Sequence, residues 1–390
     1  MIVLEILFWV ALAGMMLAYL IYPALMVALK VGIKPMQYGT PKKWPEIEVL
    51  FAAYNEEAVL EAKLQGILES HYPLDKITIR VGSDCSTDGT NAILEQFQQH
   101  HPQVVPYFFE ERQGKSSIIN YLAKQSKAPY LLLTDANIIF DLSSLNELVK
   151  VLEAEKHTAA VGGAIHYTSA LAEQGISRQE SSYLRLENRI KEAESHFLRL
   201  CMGLEGGCYL VRRSLFPKIP PLFFMEDFFV SMVLLQKGYG LRFCPQAKVY
   251  EDVSTQAQEE YKRKFRISIG NFQNLGRFYK MLWQKPWPVG LAFLLHKVLR
   301  WFTPFFLLLL LVTGMALFMV HPGYALFSGA YAMFLALGIF GILFSQKKGW
   351  TVLKYPGHFF YMNIALLDGF ITYLKGVQSN AWQPTKRNQT

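Results

Sequence analysis

A chain of 390 residues is long enough for one large domain or two. Hydrophobic residues make up 52% and charged residues only 18%, with a positive mean hydropathy, which excludes an ordinary soluble enzyme and points to membrane segments. The net charge of +8 lies largely beside the apolar runs, a pattern that suits an anionic membrane surface and not a nucleic acid.

The first apolar run, Ile6 to Leu29, carries no charge and is long enough to span a bilayer. Residues 1–31 therefore read as a transmembrane anchor; a signal peptide would be shorter and would start basic, whereas this start carries Glu5. Lys30, Lys34, Lys42 and Lys43 follow, so the positive-inside rule places the next domain in the cytoplasm, on the inner membrane if the cell is bacterial. From 45 to 285 short apolar runs alternate with helical patterns. Strands are predicted at Glu46–Ala53, Ile77–Ser83, Val104–Phe109, Tyr130–Thr134 and Ala159–His166. Helices are predicted over 56–70, 88–100, 115–126 and 143–155, the second starting at the N-cap Thr87-Asp88. Strand–helix alternation with strands this apolar predicts an α/β fold, a mostly parallel, doubly wound sheet. A charged amphipathic helix is expected over 173–200.

Residues 286–377 read as a membrane region with spans at 301–320 and 322–345, after which Gln346-Lys-Lys348 returns the chain to the cytoplasm. The stretch 357–374 is apolar but holds His358 and Asp368 and is flanked by Lys354, Lys375, Lys386 and Arg387, so a further span and an interfacial helix both remain open. Residues 378–390 form a tail. The cysteines Cys85, Cys201, Cys208 and Cys244 lack metal-ligand spacing and read as reduced thiols of a cytosolic domain.

Sheets of this kind bind ligands at the carboxyl ends of their strands. There stand AAYNEE (Ala53, Asn55, Glu56), GSDCSTDGT (Asp84, Asp88), ERQGKSS (Arg112, Lys115) and TDAN (Asp135, Asn137). Asp135 and Asn137 read either as a loop cap or as oxygen ligands of a hard cation. Acids, an amide and two bases at four consecutive strand ends favour the cation. Gly114-Lys115-Ser116 is not a P-loop, because Phe109 stands where that motif needs glycine, and no G-x-G-x-x-G follows the first strand. A dehydrogenase or P-loop phosphotransferase is disfavoured; a basic pair beside a cation suits a phosphate-bearing ligand.

These motifs resemble the family 2 glycosyltransferases of GT-A fold, particularly the membrane-embedded relatives of cellulose, chitin, hyaluronan and poly-N-acetylglucosamine synthases. The likeness covers residues 45 to about 285 and extends to the flanking spans. It implies that AAYNEE is the first-strand donor signature, that Asp84 contacts base or ribose with Asp88 as its neighbour, and that TDAN is the metal-binding D-x-D with Asn137 in place of the second aspartate. LEGGCYLVRR, with Gly206 and Gly207, resembles the acceptor-side segment, where glycine lets backbone approach a sugar. FMEDFFV implies catalytic Glu226 and Asp227, with Asp227 the general base; read without the family, the pair is a helix N-terminus favoured by the dipole. The membrane-proximal Q-(Q/R)-x-R-W is represented by Arg263-Lys-Phe-Arg266-Ile267, where basic residues remain to hold a diphosphate but the stacking tryptophan has become Ile267.

The resemblance implies an inverting transfer from a nucleotide sugar, with a UDP-sugar the first candidate, to a lipid-linked or polysaccharide acceptor, assisted by Mg²⁺ or Mn²⁺ on Asp135 and Asn137. Membrane lipids are expected partners, nucleic acid is not, and the few spans leave room for an oligomer or accessory subunits. Asn137 and Ile267 also keep a second reading open, a non-catalytic GT-A-like membrane subunit that binds nucleotide or glycan.

Overall fold

The computed structural model describes residues 1–34, 36–167, 177–252, 257–343 and 351–378. Gln346–Lys348, the tail beyond 378 and the first four residues of the helix expected over 173–200 lie outside the described residues. The chain divides into two compact units, Lys30–Thr255 and, from the two sides of it, Met1–Leu29 with Gln256–Gly376.

In the first unit eight strands form one sheet: β1 (Ile47–Ala53), β2 (Ile77–Asp84), β3 (Val104–Phe109), β4 (Tyr130–Thr134), β5 (Ile139–Phe140), β6 (Thr158–Tyr167), β7 (Cys208–Arg212) and β8 (Gly240–Glu251). Their order is β3-β2-β1-β4-β7-β6-β8-β5. Every residue of β1 and β4 is buried, which requires helices on both faces and explains why these strands read as continuous apolar runs. The β3-β2-β1-β4 half is parallel throughout, as the strand–helix alternation predicts. Beyond β4 the sheet is mixed: β7 pairs antiparallel with both β4 and β6, β6 pairs parallel with β8, and the two-residue β5 pairs antiparallel with β8.

The helices that cover the sheet are Glu57–Leu68, Thr90–His100, Lys115–Gln125, Ser144–Ala154, Ser177–Phe197 and Glu226–Gln236. The second begins two residues later than its expected start, and Asp88 caps it from outside by accepting the Thr90 N–H at 3.0 Å. Helix Lys115–Gln125 lies tight on β2, where a Cβ at Gly82 would stand 2.3 Å from Ile118 Cγ2.

In the second unit a continuous helical segment, Ile2–Lys30, is long and apolar enough to cross a membrane, and so is Pro322–Leu343. The segment expected to span from 301 to 320 is divided differently. Pro286–Trp301 and Thr303–Leu317 form a pair bent by 64°, and only together do they meet the length of a span. The break sits at Phe302, with Pro304 starting the new helix, where a proline is tolerated because its missing N–H has no partner to lose. Residues 351–375 form one helix, which is not among those apolar enough to span, and the Tyr261 hydroxyl donates to Asp368 within it. Phe8 and Ala11 of the first helix pack on Leu310 and Leu317. The first helix carries a π turn at Leu17–Ile21, where the Ala18 carbonyl accepts a hydrogen bond from the buried Arg300 Nε at 3.3 Å.

Candidate active site

The loops after β1 and β2 are clasped together. Asn55, held at a left-handed φ of 53°, accepts the Thr87 N–H at 2.8 Å and donates to the Thr87 hydroxyl at 3.2 Å. The Glu56 N–H donates to the Thr90 hydroxyl, the Glu57 N–H to Asp88, and the Gly89 N–H to Glu57 at 2.6 Å. Asn55, Glu56 and Asp88 thus hold two strand ends in register, with Ala53 buried beneath them at the end of β1. Asp84, fully buried, accepts the Gln113 N–H at 2.6 Å, the Gly114 N–H at 3.2 Å and the Arg112 Nε–H at 3.0 Å. It shapes the loop that begins the next helix, and the Arg112 guanidinium lies 3.4 Å from the centre of the Tyr54 ring. Gly114 takes a φ of 79°, a turn that glycine adopts without strain, and this delivers Lys115 to the first position of the helix.

Lys115 joins residues far apart in sequence. Its Nζ lies 2.6 Å from Asp135 Oδ1 and 2.5 Å from Glu226 Oε1. Burial pulls the ammonium down, but the Asp135 and Glu226 carboxylates outweigh it, and Lys115 is held well above its usual range and stays charged. The antiparallel pairing of Thr134 with Cys208 brings Gly206 and Gly207 beside the loop that carries Asp135. Thr134 Oγ1 donates to the Gly207 carbonyl at 2.7 Å, and the Gly206 N–H donates to Asp227 Oδ2 at 2.7 Å. Asp227 also accepts its neighbour's N–H, from Phe228 at 2.7 Å, at the start of helix Glu226–Gln236. Burial first, and the Glu226 carboxylate second, push the Asp227 carboxyl up to about 7, against the opposing pull of Lys115. Lys115, Asp135, Gly206, Gly207, Glu226 and Asp227 form one cluster, with Asp84 one step behind it.

Asn137 is buried, and its amide donates to Glu251 Oε1 at 3.2 Å. Arg263 and Arg266 belong to the other unit, on helix Ala257–Phe278, where Arg263 lies 3.6 Å from Glu260 one turn earlier. Two participants escaped the sequence reasoning, Glu251 and Lys63. Lys63 is 1% exposed and donates to the Thr134 hydroxyl at 2.8 Å and the Ile138 carbonyl at 2.6 Å, gripping the Asp135–Asn137 loop from below. An apolar helical stripe announces neither its charge nor its target; a lysine on the buried face of helix Glu57–Leu68 was the available signal.

The donor set fits a hard cation. The partly exposed Asp135 carboxylate and the Asn137 amide oxygen are ligands of the kind Mg²⁺ and Mn²⁺ take. Among the described residues no group of three acidic, histidine or cysteine side chains stands together as a metal site.

Residues 48–219 match the model of the glycosyl transferase family 2, and residues 196–345 that of the glycosyl transferase family group 2. The chain is 24% identical over 255 residues to a probable glycosyltransferase, YdaM, of Bacillus subtilis, covering 62% of this chain and 59% of that protein. It is 29% identical over 136 residues to the beta-monoglucosyldiacylglycerol synthase of Synechocystis, covering 34% of this chain and 27% of that one. The chain thus spans less than two thirds of the length of these relatives. The fold is similar to that of the mannosyltransferase PcManGT from Pyrobaculum calidifontis, solved with GDP-Man and Mn²⁺, with a TM-score of 0.67, 20% identity, and coverage of 94% of this chain and 99% of that one.

Proposed function

We propose that this chain, whose residues 48–219 and 196–345 match glycosyl transferase family models and whose fold is GT-A-like, transfers a sugar from a nucleotide sugar to a lipid-linked or glycan acceptor with inversion at the anomeric carbon. The observation that carries the reading is the cluster in which Lys115 bridges Asp135 and Glu226 while Gly206 orients Asp227. A carboxyl near 7 is matched to taking a proton from an acceptor hydroxyl at neutral pH, and the Gly206 and Phe228 N–H groups fix the Asp227 oxygens for it. Glu226 keeps Lys115 charged, and Lys115 supplies positive charge beside Asp135, where the diphosphate of the donor would gather negative charge as it leaves. When bound at Asp135 and Asn137, Mg²⁺ or Mn²⁺ adds charge neutralisation for that leaving group. One base, with the Glu226 and Asp135 carboxylates both engaged by Lys115, supports a single displacement, and hence inversion. The loss of the stacking tryptophan at Ile267 supports transfer of single sugars over processive synthesis. The apolar helices and the lysines that follow the first of them support a reaction at the cytoplasmic face of a membrane.

The test is nucleotide release by the detergent-purified chain with a panel of UDP- and GDP-sugars, with Mg²⁺, Mn²⁺ or EDTA. Metal-dependent release from one donor, lost in Asp135→Ala and Asp227→Asn, is the expected result. Nucleotide binding without release from any donor, even with lipid and glycan acceptors supplied, favours the second reading, a non-catalytic partner subunit, for which Asn137 and Ile267 speak.

A further inference from the structure

Asn137 stands two residues after Asp135, where a second acid would double the charge offered to a cation. The structure places an acid there by another route. Glu251 is the last residue of β8, 114 positions downstream, and its Oε1 accepts from the Asn137 Nδ2 at 3.2 Å. The ladder enforces the meeting: β5 pairs with β8 through Ile139 with Tyr250 and Phe140 with Val249, so the chain just before β5 faces the chain just after Tyr250. An amide carries its oxygen and nitrogen on opposite sides. With the nitrogen fixed on Glu251, the oxygen points away from that carboxylate and is free of its repulsion.

We propose that Glu251 is a positioning residue for Asn137, orienting the amide so that its oxygen is presented to a divalent cation with Asp135 and restoring the negative charge that asparagine lacks. This rests on the reading of Asp135 and Asn137 as cation ligands. Groups that hydrogen-bond a ligand from behind fix its orientation, and their loss typically weakens metal affinity about 10- to 100-fold. The pair also has a polarity: the amide donates and the carboxylate accepts. Asn137→Asp alone sets two carboxylates against each other at this contact. Asn137→Asp combined with Glu251→Gln rebuilds the bond in reverse, with an amide donating to the new acid.

The experiment measures Mn²⁺ affinity by electron paramagnetic resonance of free Mn²⁺, with GDP or UDP present and no acceptor, so that turnover plays no part. The expected outcome is about tenfold or more weaker binding in Glu251→Gln and in Asn137→Asp, and recovery to within about threefold of the parent in the double variant. Unchanged affinity in both single variants overturns the proposal, and so do losses that simply multiply in the double variant. Melting temperatures are read alongside, because a purely structural contact would lower them in Glu251→Gln and leave Mn²⁺ affinity intact, which also overturns it. Asp135→Ala separates the two readings. If it binds Mn²⁺ like the parent, the cation assignment itself fails; if it loses binding while Glu251→Gln retains it, only the role of Glu251 fails.

Discussion

Lys63 is fully buried and Asp227 half-buried, both are pushed toward neutrality, and they predict different pH behaviour. As the proposed base, Asp227 would work only when ionised, so turnover is expected to rise through pH 7 and level off above it, with Asp227→Asn reducing kcat by about 100-fold or more. A pH–rate profile that is flat from pH 5.5 to 8 would sink the assignment. Among the described residues Lys63 has no carboxylate in hydrogen-bond contact, and burial pulls its ammonium down to about 7, opposed by Cys208 first and the Asp135 carboxylate second; the Phe140 ring lies 4.3 Å away. A lysine whose folded value is depressed binds its proton more readily when unfolded, so the cost of burying it is full below pH 7 and is relieved as pH rises toward the ordinary lysine range. The melting temperature of the parent is therefore expected to gain on that of Lys63→Met between pH 7 and pH 9.5. Parallel curves would mean that Lys63 keeps its proton in the folded protein up to pH 9.5, with no depression of its folded value.

The parallel strands and the helices that cover them were legible because each is written in a local pattern. β3 and β4 fall where the apolar runs place them, and helix Lys115–Gln125 starts where expected and ends one residue early. The two-residue β5 was not legible, since it exists only through its pairing with β8. The same holds in the site. Asp135, Glu226 and Asp227 carried recognisable motifs, but the bond from Lys115 to Glu226 and that from Glu251 to Asn137 join segments more than a hundred residues apart, which no periodicity encodes. Gly82 gives the element-level prediction. Gly82→Ala drives a methyl into Ile118 and must push helix Lys115–Gln125 outward, costing about 1–3 kcal/mol in stability by thermal or denaturant melting. Because that helix begins at Lys115, whose proposed role is to meet charge on the departing diphosphate, the variant is also expected to lower kcat more than it raises the KM for the donor.

For the whole molecule, composition pointed to membrane segments, and two helices have the length and apolarity to cross. It did not announce the bend at Phe302, because hydropathy averages over a break that only backbone geometry reveals. Sidedness is testable with the native cysteines. Cys201, Cys208 and Cys244 are buried, while Cys85 is partly exposed. If the lysines after the first helix face the cytoplasm, a membrane-impermeant maleimide will label Cys85 in inverted vesicles and not in right-side-out ones. Labelling in right-side-out vesicles and not in inverted ones would reverse the orientation.

The bond from Arg300 to the Ala18 carbonyl imposes an order of events during synthesis. The two residues are 282 positions apart, so a ribosome adding roughly 5–20 residues per second takes on the order of 15–60 s to travel from one to the other. For that interval the π turn of the first helix lacks its cation, while residues 30–255 are made. If the first helix is the anchor its apolarity suggests, it has to hold in a bilayer without Arg300, and its contact with that residue forms only after the intervening unit has been synthesised.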